Sequence, residues 1–216
     1  MDVRNHKVAF KTEADIKRIA DNSRNALCGR IDIHDISVTD CIKVLMQSKR
    51  IKSTRTGKFT QLGLSFFNQR AGEAPAYVKH DPLTLYCDQE IWRDAELREP
   101  NGKFIVAHEL GHVIMHSYYV QQFTENTRAS PWIKEEQGEW QANTFADYLL
   151  VSDYSIDELI TPTDIAIFCG VEKQLAQRRL GVLQNTGNNC PRCGSNFVIR
   201  RGLTEKCDNC GKRTYL

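Results

Sequence analysis

Three of the chain's six histidines, His108, His112 and His116, stand four residues apart in FIVAHELGHVIMH, Phe104 to His116. On an α-helix, residues four apart rise about 6 Å along one face, so His108 and His112 can present ring nitrogens to a single Zn²⁺ at about 2.0–2.1 Å. Glu109 then lies one residue round from the first imidazole, beside the ion without binding it. A carboxylate there can take a proton from water and pass it to a leaving amine. The chemistry expected of this H-E-x-x-H pattern is metal-assisted hydrolysis of a peptide bond.

His116 does not complete the ligand set on a continuous helix. It sits about 12 Å along the axis from His108 and about 80° round, whereas two nitrogens on one tetrahedral zinc are about 3.4 Å apart. Val113, Ile114 and Met115 between the last two histidines are not helix breakers. No histidine follows His116, so the third ligand is an acid, a cysteine, or one of the upstream His6, His34 and His80. The acidic segment KEEQGEWQANTFAD is the favoured source, because Ala142, Phe145, Ala146 and Leu149 would pack its helix against the HELGH helix. Glu139 would then bind zinc, and Asn143, one turn on, would orient a ligand histidine. His116 is left to packing or to a hydrogen bond behind the ligands, and Tyr118 or Tyr119 is a candidate donor to the oxyanion.

A second constellation lies at the C-terminus. CPRCGSNFVIRRGLTEKCDNCGK places Cys190, Cys193, Cys207 and Cys210 in two C-x2-C pairs, followed by Gly194 and Gly211, which permit the tight turns that bring backbone donors to thiolate sulfurs. A closed four-cysteine zinc ribbon is expected, with FVIR and the segment after Arg201-Gly202 forming a hairpin between the knuckles. So short a tail buries too little surface to fold alone, and metal binding must supply much of its folding free energy. Arg192, Arg200, Arg201, Lys206, Lys212 and Arg213 invite nucleic-acid contact, but four thiolates around one zinc offset part of that charge. Docking to a protein, or stabilising the C-terminus, is an equal alternative.

These residues need elements to hold them. Thr12, with Asp15 three residues on, caps an expected first helix through Ile16, Ile19, Ala20 and Leu27 that ends before Gly29. Thr39 is the expected cap of a second helix through Ile42, Leu45 and Met46. KRIKSTRTGK reads as a solvated basic loop. LTLYCDQEIW, Leu83 to Trp92, reads as a strand, with two equal alternatives: the exposed edge of a sheet beside the site, where it would pair with an extended peptide, or an ordinary half-buried strand. The active-site helices are expected at about 102–117 and 136–150. A helical hairpin is expected at about 163–183, with Ile165, Phe168, Val171, Leu175 and Leu180 in the core. NTGNN, Asn185 to Asn189, is a linker.

The 216 residues suit one main domain plus a smaller unit, and the +2 net charge is too small to define a partner. No signal peptide and no run of about 18 apolar residues is legible, and the split of the eight cysteines suits metal binding in a reducing compartment. The cytoplasm is the expected location, with no membrane partner.

FIVAHELGHVIMH followed by EWQANTFADYLL resembles the ImmA/IrrE family of zinc metallopeptidases, most clearly over Phe104 to Leu150 and more weakly at IDIHDIS. The resemblance implies zinc ligands at His108, His112 and Glu139 and a catalytic glutamate at Glu109. It also implies a protein substrate such as a helix-turn-helix repressor or an antitoxin. Two positions depart from the family: Gln141 stands where a second glutamate is usual, and LLVSD replaces the LLMP ending.

The expected architecture is α+β: a mostly helical, gluzincin-like metallopeptidase domain over 1–184 with a small antiparallel sheet, a linker at 185–189, and a zinc ribbon over 190–216. Two zinc ions are expected, one catalytic and one structural. Beside the endopeptidase and the bland alternative of a structural two-zinc protein, two other readings stand. One is a SprT-like protease of DNA-bound proteins, which would need a downstream third histidine. The other is a weakly catalytic or non-catalytic adaptor that binds nucleic acid or a repressor through the ribbon.

Overall fold

The computed structural model describes residues 7–29, 33–48, 51–52, 59–80, 82–116, 133–159, 161–180, 189–194, 198–201, 204–207 and 209–215. The expected sites Tyr118, Tyr119 and His6, and all of the 185–189 linker except Asn189, lie outside these residues.

Helix α1 (Glu13–Cys28) begins with a capping box in which Thr12 Oγ1 accepts from the Asp15 amide at 3.1 Å and the Asp15 carboxylate accepts from the Thr12 amide at 3.2 Å. It stops at Gly29, which takes the left-handed conformation at φ 69°. Helix α2 (Val38–Gln47) is capped by Ser37, whose hydroxyl accepts from the Asp40 amide, rather than by Thr39, which is buried within the first turn. Within the basic stretch expected to be a loop, Ile51–Lys52 forms strand β1, paired antiparallel with β2 (Phe59–Thr60).

Strands β3 (Gly63–Phe67), β4 (Ala76–His80) and β5 (Leu83–Asp88) make a sheet in the order β3-β5-β4. The sheet is mixed rather than wholly antiparallel, because β3 runs parallel to β5 while β4 runs antiparallel to it. LTLYCD is thus the central strand, bonded on both sides, which decides against the open-edge alternative and for the half-buried strand. The continuous Leu83–Trp92 strand is also shorter than expected. Asp88 accepts from the amides of Glu90 and Ile91, and that cap starts helix α3 (Gln89–Glu96) in the middle of the β-rich stretch.

Helix α4 (Pro100–His116) carries the HELGH motif, and after a 3₁₀ turn at Lys134–Glu136 helix α5 (Gly138–Leu150) carries EWQANTFADYLL. The two pack on each other, flanked by α1 against α5 and α3 against α4. Val106, Leu110 and Val113 from α4 and Phe145, Ala146 and Leu149 from α5 are all fully buried in one core. Gly111 sets how closely the helices approach: a Cβ there would lie 3.1 Å from Phe145 Cδ1 and 3.3 Å from Ala142 Cα. At about 25 cal/mol per Å², burial of these side chains is the main force that holds α5 in place.

The chain continues through α6 (Asp153–Glu158), α7 (Pro162–Cys169) and α8 (Lys173–Leu180). Ile165, Val171 and Leu175 are buried in the α7–α8 hairpin as expected, and Leu180 packs partly against the core. Phe168 is a correction, because it is 54% exposed on the outer face of α7. Strands β6 (Val198–Arg201), β7 (Thr204–Cys207) and β8 (Arg213–Tyr215) form an antiparallel sheet in the C-terminal tail, and β6 and β7 are the hairpin expected between the cysteine pairs. Lys206 is buried and donates to the Asp164 carboxylate on α7, which ties the tail to the helical body. Among the described residues, no helix is long and apolar enough to cross a membrane.

Candidate active site

His108 and His112 share the face of α4 that looks at the start of α5. Their Nε2 atoms lie 3.0 Å apart, and Glu139, in the first turn of α5, places one carboxylate oxygen 3.2 Å from His108 Nε2 and the other 3.4 Å from His112 Nε2. A tetrahedral zinc with ligand distances of about 2.0–2.1 Å separates its ligand atoms by about 3.3 Å, so these three donors have the spacing and the nitrogen-oxygen chemistry of a zinc site with one position open. The α4–α5 packing brings Glu139 to the two histidines from 27 positions past His112 and 31 past His108.

The nitrogens on the far side of both rings are also engaged. Asn143, one turn along α5 from Glu139, sets its Oδ1 at 2.9 Å from His108 Nδ1. An amide oxygen can only accept, so Nδ1 carries the hydrogen and the Nε2 lone pair points at the open site. His112 Nδ1 meets His116 Nδ1 at 2.9 Å, and His116 Nε2 meets Gln141 Oε1 at 3.1 Å.

Gln141 Nε2 donates to the carbonyls of Ala9 and Glu135, both at 2.7 Å, which fixes the orientation of the amide. His116 Nε2 must therefore donate to Gln141 Oε1. Its Nδ1 is then an acceptor in the neutral ring, and His112 Nδ1 donates to it, again leaving Nε2 for a metal. His116 is thus behind the two facing imidazoles and outside the donor triad, because on an unbroken helix it can reach only the back of the ring one turn before it.

Gln141 was legible in the sequence only as a departure from the family pattern. Its burial at 0% exposure opposite His116 is what gives it a task. The same amide ties the site to the N-terminal segment, where the Val8 amide donates to the Glu136 carbonyl at 2.9 Å.

Glu109 is 8% exposed and lies beside the donor triad without belonging to it. Burial pushes its carboxyl up from the ordinary range, opposed by the neighbouring imidazoles of His112 and His108. Burial also disfavours a charge on Glu139, yet its bonds to His108 and His112 hold it well below the usual carboxylate range. For His108, burial opposes protonation, but Glu139 and Glu109 raise its affinity for a proton. The three donors therefore form a pocket that favours a positive charge at its centre. Of the other histidines weighed as ligands, His34 bonds Ser155 Oγ at 3.0 Å and His80 lies on β4, and neither joins the triad.

The C-terminal cysteines form the other such group among the described residues. Cys190 Sγ is 3.6 Å from Cys210 Sγ, and Cys193 Sγ is 3.6 Å from Cys207 Sγ, close to the roughly 3.8 Å edge of a tetrahedral zinc-thiolate site. Gly194 and Gly211 stand at φ 71° and 72° and return their amides to the Cys190 and Cys207 carbonyls. The Arg192 amide reaches Cys190 Sγ at 3.4 Å and Asn209 Nδ2 reaches Cys193 Sγ at 3.7 Å. Lys206, counted with the basic residues of the tail, is committed to Asp164.

No curated protein matches the chain. A family model described as the IrrE N-terminal-like domain, of the Peptidase_M78 family, matches residues 59–180, from β2 to the end of α8. That span includes α4, α5 and every residue of the donor triad, and the chain belongs to this family of peptidases.

Proposed function

We propose that the protein is a zinc-dependent endopeptidase whose substrate is a protein regulator, a helix-turn-helix repressor or an antitoxin. The observation that carries the peptidase reading is the donor triad of His108, His112 and Glu139, 3.0–3.4 Å apart, with the buried carboxyl of Glu109 beside it. Zinc bound there supplies Lewis-acid polarisation of a peptide carbonyl and an acidified water. Beside such an ion Glu109 would take a proton from the attacking water and return it to the amine that leaves, and its raised proton affinity suits both halves of the task. Asn143 and the His116–Gln141 relay hold the two imidazoles with their Nε2 lone pairs turned inward. The repressor or antitoxin substrate rests on the resemblance of the two helices to ImmA/IrrE enzymes.

Incubation of the purified protein with a small helix-turn-helix repressor tests both parts. A single pair of fragments is expected, and Glu109→Gln should keep its metal while cleavage falls about 10²–10⁴-fold. Normal cleavage by Glu109→Gln would remove the base, and an intact repressor beside an enzyme that cuts unfolded casein would remove only the substrate.

A further inference from the structure

Cys28 and Cys41 lie outside the peptidase family match and outside both metal-donor groups. Cys28 is the last residue of α1 and Cys41 lies near the start of α2, and their Sγ atoms are 3.2 Å apart, inside van der Waals separation. Cys41 is buried, whereas Cys28 is partly exposed and adjoins Gly29, where an added Cβ would meet nothing within 4 Å. A small solute therefore reaches Cys28 from the solvent side while Cys41 waits behind it.

One turn before Cys28 is Arg24, fully buried. Its guanidinium donates to the carbonyls of Leu149 and Ile33, its Nε has no hydrogen-bond partner, and among the described residues no carboxylate is ion-paired with it. A buried guanidinium held by neutral carbonyls favours an anion nearby. The thiols of Cys28, Cys169 and Cys41 are among the groups that face it, together with Asp21. Donation from Cys41 holds the Cys28 thiol down to about 7, burial opposes that shift, and Arg24 adds to it. Cys41, keeping its proton toward Cys28, is pushed up.

We infer that Cys28 and Cys41 are a peroxide-reactive thiol pair, with Cys28 the attacking and Cys41 the resolving cysteine, that closes to a disulfide joining the end of α1 to α2. The Cys28 thiolate attacks hydrogen peroxide: the S–O bond forms as the O–O bond breaks, and the departing hydroxide takes up the proton Cys28 had released and leaves as water. The Cys41 sulfur then displaces the oxygen of the sulfenic acid. The S–S bond forms and the second water carries away that oxygen and the Cys41 proton. Two thiols lose two electrons in total and the peroxide gains them. Closing from 3.2 Å to a disulfide length of about 2.05 Å requires a shift of about 1 Å at the helix ends.

Trypsin separates the two cysteines, Cys28 into NALCGR and Cys41 into IDIHDISVTDCIK. The purified full-length protein, treated with hydrogen peroxide and digested without reductant, is expected to yield these peptides linked, and dithiothreitol should part them. The link should vanish in Cys28→Ser. In Cys41→Ser, Cys28 should instead accumulate as a sulfenic acid that reacts with dimedone. The wild-type digest does not depend on any variant folding. The inference is overturned if peroxide oxidises Cys190, Cys193, Cys207 or Cys210 while NALCGR and IDIHDISVTDCIK remain unlinked, or if wild-type Cys28 stops at the dimedone-reactive stage.

Discussion

The two donor groups of this protein are built by opposite routes. The His108–His112–Glu139 triad sits on two helices whose buried faces lock together without help, through Leu110, Val113, Phe145 and Leu149. Among the described residues of the tail, Cys190 and Cys207 are the buried apolar side chains, with Cys210 packed partly against them. In the first the core positions the donors; in the second, among the described residues, the buried apolar side chains are themselves donors. A metal ion would therefore be a ligand of the peptidase domain and a structural element of the tail.

The sharpest way to break that contrast is to remove metal. Structural zinc contributes on the order of 10–16 kcal/mol to small four-ligand modules, so chelation should abolish the amide protection of β6, β7 and β8 while the far-UV signal of α4 and α5 persists. The Cys190→Ser/Cys193→Ser variant should lower bound zinc from two ions per chain to one. Equal loss of structure in both regions would show that the helical core does not stand alone.

Within the peptidase domain, Glu139→Ala should weaken metal binding more than about 100-fold, with little change in the melting of the helices. His116→Ala should keep the ion at an affinity about 10–100-fold lower, the usual cost of losing a hydrogen bond behind a ligand. Competition with a chromophoric chelator measures both, and the reverse ranking would overturn the ligand assignment. Gly111→Ala should cost about 1–3 kcal/mol in thermal unfolding, because its methyl would press on Phe145 and Ala142 and push α5 away from the histidines. The tail should not notice.

The smallest effect is on pH dependence. Glu139, held below its ordinary value of 4.5, adds stability that is present above that pH and lost as pH falls through its folded value. His108, raised from 6.5, adds stability below that pH that is lost as pH rises through its folded value. The metal-free α4–α5 contact should then be firmest between about pH 4.5 and 6.5. Zinc competes with the proton on His108, so its affinity should climb by up to about tenfold per unit as pH rises toward that group's raised folded value and level off above it. Affinity that stays flat between pH 6 and 8 would contradict the coupling.

Much of the site could be read in advance because its chemistry is local or periodic. The i, i+4 spacing of His108 and His112 fixes a shared helix face, and C-x2-C-G fixes a knuckle turn. Exclusion of His116 as a ligand followed from helical geometry alone, and the apolar spacing of Ala142, Phe145, Ala146 and Leu149 pointed Glu139 and Asn143 at the same face.

Misjudged features were those set by neighbours. LTLYCDQEIW has the composition of a strand throughout, but a single carboxylate at Asp88, bonding two amides ahead of it, converts its second half into helix. The central place of β5 depends on a parallel partner, β3, that no local pattern announces. Phe168 has a core side chain's chemistry and an exposed position.

The sequence by itself determined that this protein carries two constellations suited to holding a metal ion, a histidine pair on one helix face and two cysteine knuckles, because spacing within a turn or two of chain constrains where side chains point. Only the tertiary structure decided that Gln141 orients His116, that Lys206 is spent on Asp164, and that Cys28 and Cys41 meet beside a buried arginine. Such pairings join residues whose relation lies in the packing of separate elements, and burial, which sets the cost of leaving a polar group unpaired, exists only once the chain has folded.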